Sequence, residues 1–147
     1  MLFADQPDNY SPRFRVTSCF VEFNGKVLFL HRQGHKPQGN TWGVPAGKID
    51  GDEDIATATA REIFEETGLT ISPDRIAEQK RAFVRFPDYD FDYFMHRVVL
   101  DAEPHILLSD DEHKAYTWKT PQEAVASLPL ILDEDACLAL YYNTPSC

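Results

Sequence analysis

The sequence predicts an α+β fold: a mixed, largely antiparallel sheet with helices packed on it. Three observations point there. Runs rich in β-branched and aromatic residues recur along the chain, separated by turn residues. One segment, Ile55 to Thr67, carries helical periodicity, with Ala56, Ala60, Ile63 and Thr67 as its expected inner side. The length, 147 residues, supplies one core and is short for two, so residues 1–147 read as a single domain.

In chain order, residues 1–12, with Pro7 and Pro12, read as an extended lead-in. Phe14 to Phe23 and Lys26 to His31 read as strands joined at Asn24-Gly25, the strongest short hairpin signal. Gln33 to Asn40, holding Gly34, Pro37 and Gly39, reads as a loop, and Trp42 to Val44 as a short strand. The helix from Ile55 has Asp52 as its expected N-cap and Gly68 as its stop. Ala77 to Phe86 and Phe91 to Leu100 read as strands about the turn Pro87-Asp88-Tyr89-Asp90. Pro104 to His113 reads as a loop, Ala115 to Trp118 as a short strand, Pro121 to Ser127 as a short helix opened by Thr120, and Asp133 to Tyr142 as the last helix.

Lys plus Arg number 14 and Asp plus Glu 24, a formal charge of −10. That balance argues against a nucleic-acid polymer or an anionic membrane surface as partner. An acidic protein that handles phosphates needs metal ions between itself and them. No stretch approaches the ~20 apolar residues of a bilayer span. Met1 to Asp5 has neither the basic start nor the apolar core of a secretory signal. Cys19, Cys137 and Cys147 form no CxxC pair, which suggests a reducing compartment and leaves Cys19 and Cys137 as free buried thiols. A cytoplasmic protein is expected.

The informative segment is Gly47 to Leu69, where Asp50, Asp52, Glu53, Asp54, Glu62, Glu65 and Glu66 face only Lys48 and Arg61. Glu62, Glu65 and Glu66 stand at i, i+3 and i+4, one stripe of a helix at ~100° per residue. Like charges so placed repel. A hard divalent cation would relieve them, and such a cation bridges phosphate oxygens and activates water. A solvated acidic face with Arg61 paired to Glu65 is the plain alternative on charge spacing alone. Asp50, Asp52 and Asp54 imitate the start of a calcium loop, but Ile55 and Arg61 stand where that loop requires Gly and Glu.

Gly47, five residues, Glu53, seven residues, then Arg61-Glu62-Ile63-Phe64-Glu65-Glu66-Thr67-Gly68-Leu69 resembles the Nudix box of the MutT-like hydrolases, with every specified position filled. Trp42-Gly43-Val44-Pro45 resembles the family's lead-in. Glu112-His113, Tyr116-Thr117-Trp118 and Glu123-Ala124 resemble its later strand and short helix. The likeness runs from about Phe14 to Ala126.

The resemblance implies an α/β/α sandwich with the box as loop–helix–loop, and hydrolysis of a nucleoside diphosphate linked to another group with Mg²⁺ or Mn²⁺. It implies Glu62, Glu65 and Glu66 as metal ligands and Gly47 as the neighbourhood of a backbone carbonyl ligand. Arg61 would orient the box carboxylates together with Glu53, since its fork can hold a carboxylate that would otherwise splay. Glu112, in the loop before Trp118, would complete a metal site or serve as base. One departure is Pro45-Ala46-Gly47 where Pro-Gly-Gly is common; Ala tolerates positive φ less well than Gly.

The box does not name the leaving group. Pro87, and Tyr89 and Tyr93, lie later than the sorting residues of ADP-ribose and diadenosine polyphosphate hydrolases. A nucleoside triphosphate, intact or modified, is therefore the first expectation, cut to monophosphate and pyrophosphate. An ADP-sugar or other nucleotide-sugar hydrolase, and a non-catalytic nucleotide-sensing domain, are the alternatives. Arg32, His35 and Lys36 sit in a loop from which a cation could meet distal phosphates. Asp133, with Glu134 and Asp135, lies where some relatives read a purine edge, although capping of the last helix explains it as well. The histidines receive no catalytic role, Phe83, Phe86, Phe91, Tyr93 and Phe94 read mostly as core, and the sequence leaves a homodimer open.

Overall fold

The structure is a computed structural model describing residues 1–143; Cys147 lies outside the described residues. Eight strands form one mixed sheet: β1 (Leu2–Phe3), β2 (Pro12–Phe23), β3 (Lys26–Arg32), β4 (Trp42–Gly43), β5 (Ala46–Lys48), β6 (Ala77–Arg85), β7 (Asp90–Val99) and β8 (His113–Lys119). Among the described residues three α-helices accompany them, α1 (Ile55–Thr67), α2 (Pro121–Ser127) and α3 (Glu134–Tyr142), with a short 3-10 turn at Pro73–Arg75. β2 is the organising strand. It runs parallel to β7 along its length, and on its other edge pairs antiparallel with β5 at its middle and with β3 at its end.

Alternation along the strands makes the layers. Cys19 and Val21 of β2, with Leu28 and Leu30 of β3, pack with Ile63 of α1. Phe20 of β2, with Val27 and Phe29 of β3, packs with Ala124 of α2 and Cys137, Leu138 and Tyr141 of α3. Residues one step apart thus serve opposite faces, as a period of two requires. The result is the α/β/α sandwich expected. The β2–β3 hairpin closes through Asn24 and Gly25, both at positive φ (54° and 79°), which matches a two-residue primed turn. Cys19 and Cys137 are free and buried.

Several local expectations are corrected. Residues 1–12 are not merely a lead-in: Leu2 and Phe3 pair with Val84 and Phe83 of β6. The N-cap of α1 is Asp54, not Asp52; its side chain accepts from the Thr57 N–H at 3.3 Å. The inner side of α1 is Ala58, Thr59, Ile63, Glu66 and Thr67, so Ala56 and Ala60 do not lead it. Thr59 fits because its hydroxyl bonds the Ile55 carbonyl at 2.7 Å and Thr17 of β2 at 2.5 Å. Gly68 ends α1 in the left-handed region, φ 75°, as expected. The segment before the helix is not all loop, because Ala46–Lys48 adds β5 to β2. Asp133 precedes α3 at φ 66° and makes no side-chain cap. Among the described residues no helix is long and apolar enough to cross a membrane.

Candidate active site

The segment from Val44 to Lys48 fastens the site one residue at a time. The Val44 N–H donates to Glu134 Oε1 at 3.2 Å, and the Pro45 carbonyl accepts from the Cys19 N–H at 3.1 Å. The Ala46 N–H donates to Glu66 Oε2 at 2.9 Å, and the Lys48 carbonyl accepts from Arg61 Nη2 at 3.1 Å. Gly47 takes the remaining role: a Cβ there would collide with the Glu62 carboxylate. Neither Ala46 nor Gly47 has positive φ. The glycine is therefore required for space rather than for backbone freedom, and Pro-Ala-Gly is accommodated without strain.

Arg61 is the hub of the acidic helix. Its Nε and Nη2 donate to both oxygens of Glu53, each at 2.9 Å. Its Nη1 donates to Glu62 Oε1 at 2.9 Å and reaches Glu65 at 3.3 Å. Glu53 in turn accepts from the Asp50 N–H at 3.2 Å. The guanidinium thus ties the loop, β5 and two helix carboxylates together, which the planar fork suits. The Arg61–Glu65 pair of the plain alternative exists, but as one arm of this larger arrangement.

The three helix glutamates differ in setting. Glu65 is about half exposed, at 53%. Glu62 is mostly covered, and burial pushes its carboxyl up to about 6 against the pull of Arg61. Glu66 is buried, and burial raises its carboxyl well above the ordinary range although the Ala46 N–H favours the anion. Glu53 is held below the ordinary range by its hydrogen bonds with Arg61. Two covered carboxylates with raised proton affinity, on one side of a helix, form a place where positive charge is wanted.

Glu112 joins this group from another part of the chain. The loop before β8 is held by the Gln33 N–H bonding the Glu112 carbonyl at 2.9 Å and by Gln33 Nε2 bonding the Asp110 carbonyl at 2.9 Å. One ligand atom from each of Glu66, Glu112 and His113 lies within 4.8 Å of the other two. His113 is a residue the sequence reading passed over. It is 3% exposed, its Nε2 stands 3.9 Å from Glu66 Oε1, and among the described residues its Nδ1 has no hydrogen-bond partner. Burial, then the charges of Arg32 and Lys36, push its imidazole down to about 4. The adjacent pair Glu112-His113 was the available signal. A divalent cation fits here: the donors are mainly carboxylate oxygens, Gly47 leaves room for the Glu62 carboxylate, and a buried imidazole nitrogen lacks a partner.

Arg32, the last residue of β3, lies near enough to act on the charges of both Glu66 and His113, and its Nε holds the Pro37 carbonyl at 3.0 Å. Lys36 lies on the same loop. Asp133 is not part of this cluster. It lines a cavity of about 240 Å³ walled by Leu2, Phe86, Phe91, Tyr93, Leu132 and Glu134. The aromatic residues read as core are therefore divided: Phe94 is buried, whereas Phe86, Phe91 and Tyr93 face this cavity. Ala46 also lines it, so the cavity and the carboxylates share β5. Glu134, 3% exposed, leaves Oε2 without a partner among the described residues, and burial pushes its carboxyl up to about 7.

Comparison with known proteins places this arrangement. The NUDIX domain family matches residues 12–140. A CTP pyrophosphohydrolase of Escherichia coli is 26% identical over an alignment covering 89% of this chain and 96% of that protein. The MutT protein of Methanosarcina mazei superposes with a TM-score of 0.74 at 23% identity, covering 90% of this chain and 95% of that one. A bifunctional NMN adenylyltransferase/ADP ribose pyrophosphatase of Francisella tularensis superposes with a TM-score of 0.73 at 23% identity, covering 92% of this chain and 42% of that one.

Proposed function

The chain belongs to the NUDIX family of hydrolases, and from that premise we propose that it is a divalent-metal-dependent pyrophosphohydrolase acting on a nucleoside triphosphate. The observation that carries this is a group of carboxylates, Glu66 and Glu112 with Glu62 near enough to feel their charge and Glu65 near enough to feel that of Glu62, sharing β5 with an aromatic-walled cavity. A cavity of about 240 Å³ suits one heterocycle; sites that enclose a drug-sized ligand run to ~300–1,000 Å³. A base in the cavity and phosphates over the carboxylates give the substrate its direction. The name of the Escherichia coli relative, a CTP pyrophosphohydrolase, supports a triphosphate over a nucleotide sugar.

When bound, a divalent cation supplies positive charge opposite the diphosphate and makes a nearby water more acidic. The protein's residues do the rest. Glu62, Glu65, Glu66 and Glu112 supply its oxygen ligands, with the backbone around Gly47 within reach. Arg61 and Glu53 keep Glu62 and Glu65 from splaying. Arg32 and Lys36 offer charge to the distal phosphates. Phe86, Phe91 and Tyr93 give the base faces to pack on, and Asp133 and the unpartnered oxygen of Glu134 can accept from base amino groups. Water adds to one phosphorus and gives up a proton to solvent, the phosphoanhydride P–O bond breaks, and monophosphate and pyrophosphate leave.

The test is product analysis on triphosphates, oxidised triphosphates, nucleotide sugars and dinucleotides, each with Mg²⁺, Mn²⁺ or chelator. Pyrophosphate from a triphosphate, abolished by chelator, is the expected result. A sugar phosphate as product would instead establish the nucleotide-sugar reading. Tight nucleotide binding without turnover would establish a sensor. Glu65→Gln and Glu66→Gln should each lower kcat at least ~100-fold while leaving the circular dichroism spectrum unchanged. Near-normal turnover in both would remove α1 from the reaction.

A further inference from the structure

We propose that His113 supplies a nitrogen ligand to a cation held by Glu66 and Glu112, so that this position favours first-row transition-metal dications over Mg²⁺. The inference rests on the metal-dependent reading above and adds to it the identity of one donor and the kind of ion it selects.

Three features carry it. His113 begins β8 directly after Glu112, so one short piece of backbone delivers an oxygen and a nitrogen donor to the same place. The backbone there is fixed: the Glu112 and His113 N–H groups both bond the Ser109 carbonyl, at 3.0 and 2.9 Å. The Nε2 to Glu66 Oε1 separation of 3.9 Å is too long for a hydrogen bond. It falls within the span of two ligands on one ion, since bonds of ~2.0–2.2 Å place ligand atoms up to ~4.4 Å apart.

The surroundings offer no competing use for the ring. Glu66 already spends Oε2 on the Ala46 N–H and turns Oε1 toward His113. His113 is buried, and among the described residues its Nδ1 has no hydrogen-bond partner. An ion between Glu66 and Glu112 would take Nε2 as its ligand, and the ring proton would then sit on Nδ1. Of the two nitrogens, Nε2 is the one that stands beside a carboxylate oxygen. Imidazole raises affinity along the first-row series, whereas Mg²⁺ is best served by oxygen alone.

The deciding experiment is pulsed electron paramagnetic resonance on the full chain loaded with Mn²⁺ and no nucleotide. Nitrogen-14 modulation from a directly bound imidazole is expected in the wild type and in His35→Gln, and should vanish in His113→Gln. Calorimetry with Co²⁺ and Mg²⁺ gives the second readout. His113→Gln should weaken Co²⁺ binding ~10–100-fold and Mg²⁺ binding less than ~3-fold. Bound Mn²⁺ without nitrogen modulation, or equal losses for the two metals, would overturn the proposal and leave the hydrolase reading intact. No cation binding by the wild type, together with turnover in chelator, would overturn both. Should His113→Gln fail to fold, the wild-type and His35→Gln spectra decide alone.

Discussion

At the scale of single residues, Arg61 and Gly47 show how differently two fixed positions can be required. Arg61 acts through donors: three of its nitrogens hold Glu53, Glu62, Glu65 and the Lys48 carbonyl. Gly47 acts through what it lacks, since any Cβ would occupy the Glu62 carboxylate's place. Gly47→Ala should therefore displace Glu62 rather than unfold the chain. Thermal unfolding should change by only a few degrees, while kcat falls ~10- to 100-fold and the cation concentration for half-maximal rate rises. A variant with normal metal dependence would show that Glu62 does not need its present position. Glu53, Arg61, Glu62, Glu65 and Glu66 were all legible in the sequence because fixed spacing carried them. Glu134 was named only beside Asp133, and His113 only as the neighbour of Glu112, because their unpartnered atoms exist only once the chain has folded.

At the scale of elements, the long periodic segments were legible, as were the short β4, β8 and α2, whereas β1 and β5 were not. α1, the β2–β3 hairpin and the β6–β7 pair fall close to their expected bounds, because each has an unambiguous stop or turn: Gly68, Asn24-Gly25 and Pro87 onward. β1 and β5, of two and three residues, exist because longer partners recruit them, a tertiary effect that no local pattern records. The cap of α1 was misplaced by two residues among four candidate acids. Only the chain's exit from β5 selects Asp54, whose backbone is extended (φ −63°, ψ 138°) and whose carboxylate meets Thr57. Asp54→Ala should cost about 1 kcal/mol in chemical denaturation, and Asp52→Ala should be close to neutral. Equal effects would mean that the first turn responds to total negative charge and not to one capping bond.

At the scale of the whole molecule, the chain concentrates its electrostatic tension where the reaction is proposed to occur. Burial raises the carboxyls of Glu62 to about 6 and Glu134 to about 7, and raises Glu66 too. For each, the folded state holds its proton more tightly than the unfolded chain. Their contribution is present at low pH and is lost as pH rises from ~4.5 through the folded values. The imidazoles work in the other direction. His113, pushed down to about 4, and His96, also lowered by burial, cost stability as pH falls below ~6.5, because only the unfolded chain takes up those protons readily. The two trends oppose one another between about pH 4.5 and 6.5 and only the carboxyl loss remains above that, so the stability optimum of cation-free protein should lie below about pH 6.5. A divalent cation binds the ionised carboxylates of the folded state, so it offsets the alkaline loss. Thermal unfolding from pH 4.5 to 8.5, in chelator and in Mg²⁺ or Mn²⁺, should show the optimum moving upward with the cation and the stabilisation growing with pH. In Glu134→Gln part of the alkaline loss should disappear even in chelator, because that carboxyl lines the cavity rather than joining the cluster. An optimum that stays put when the cation is added would mean that Glu62 and Glu66 do not bind it as anions, and the proposed chemistry would lose its footing.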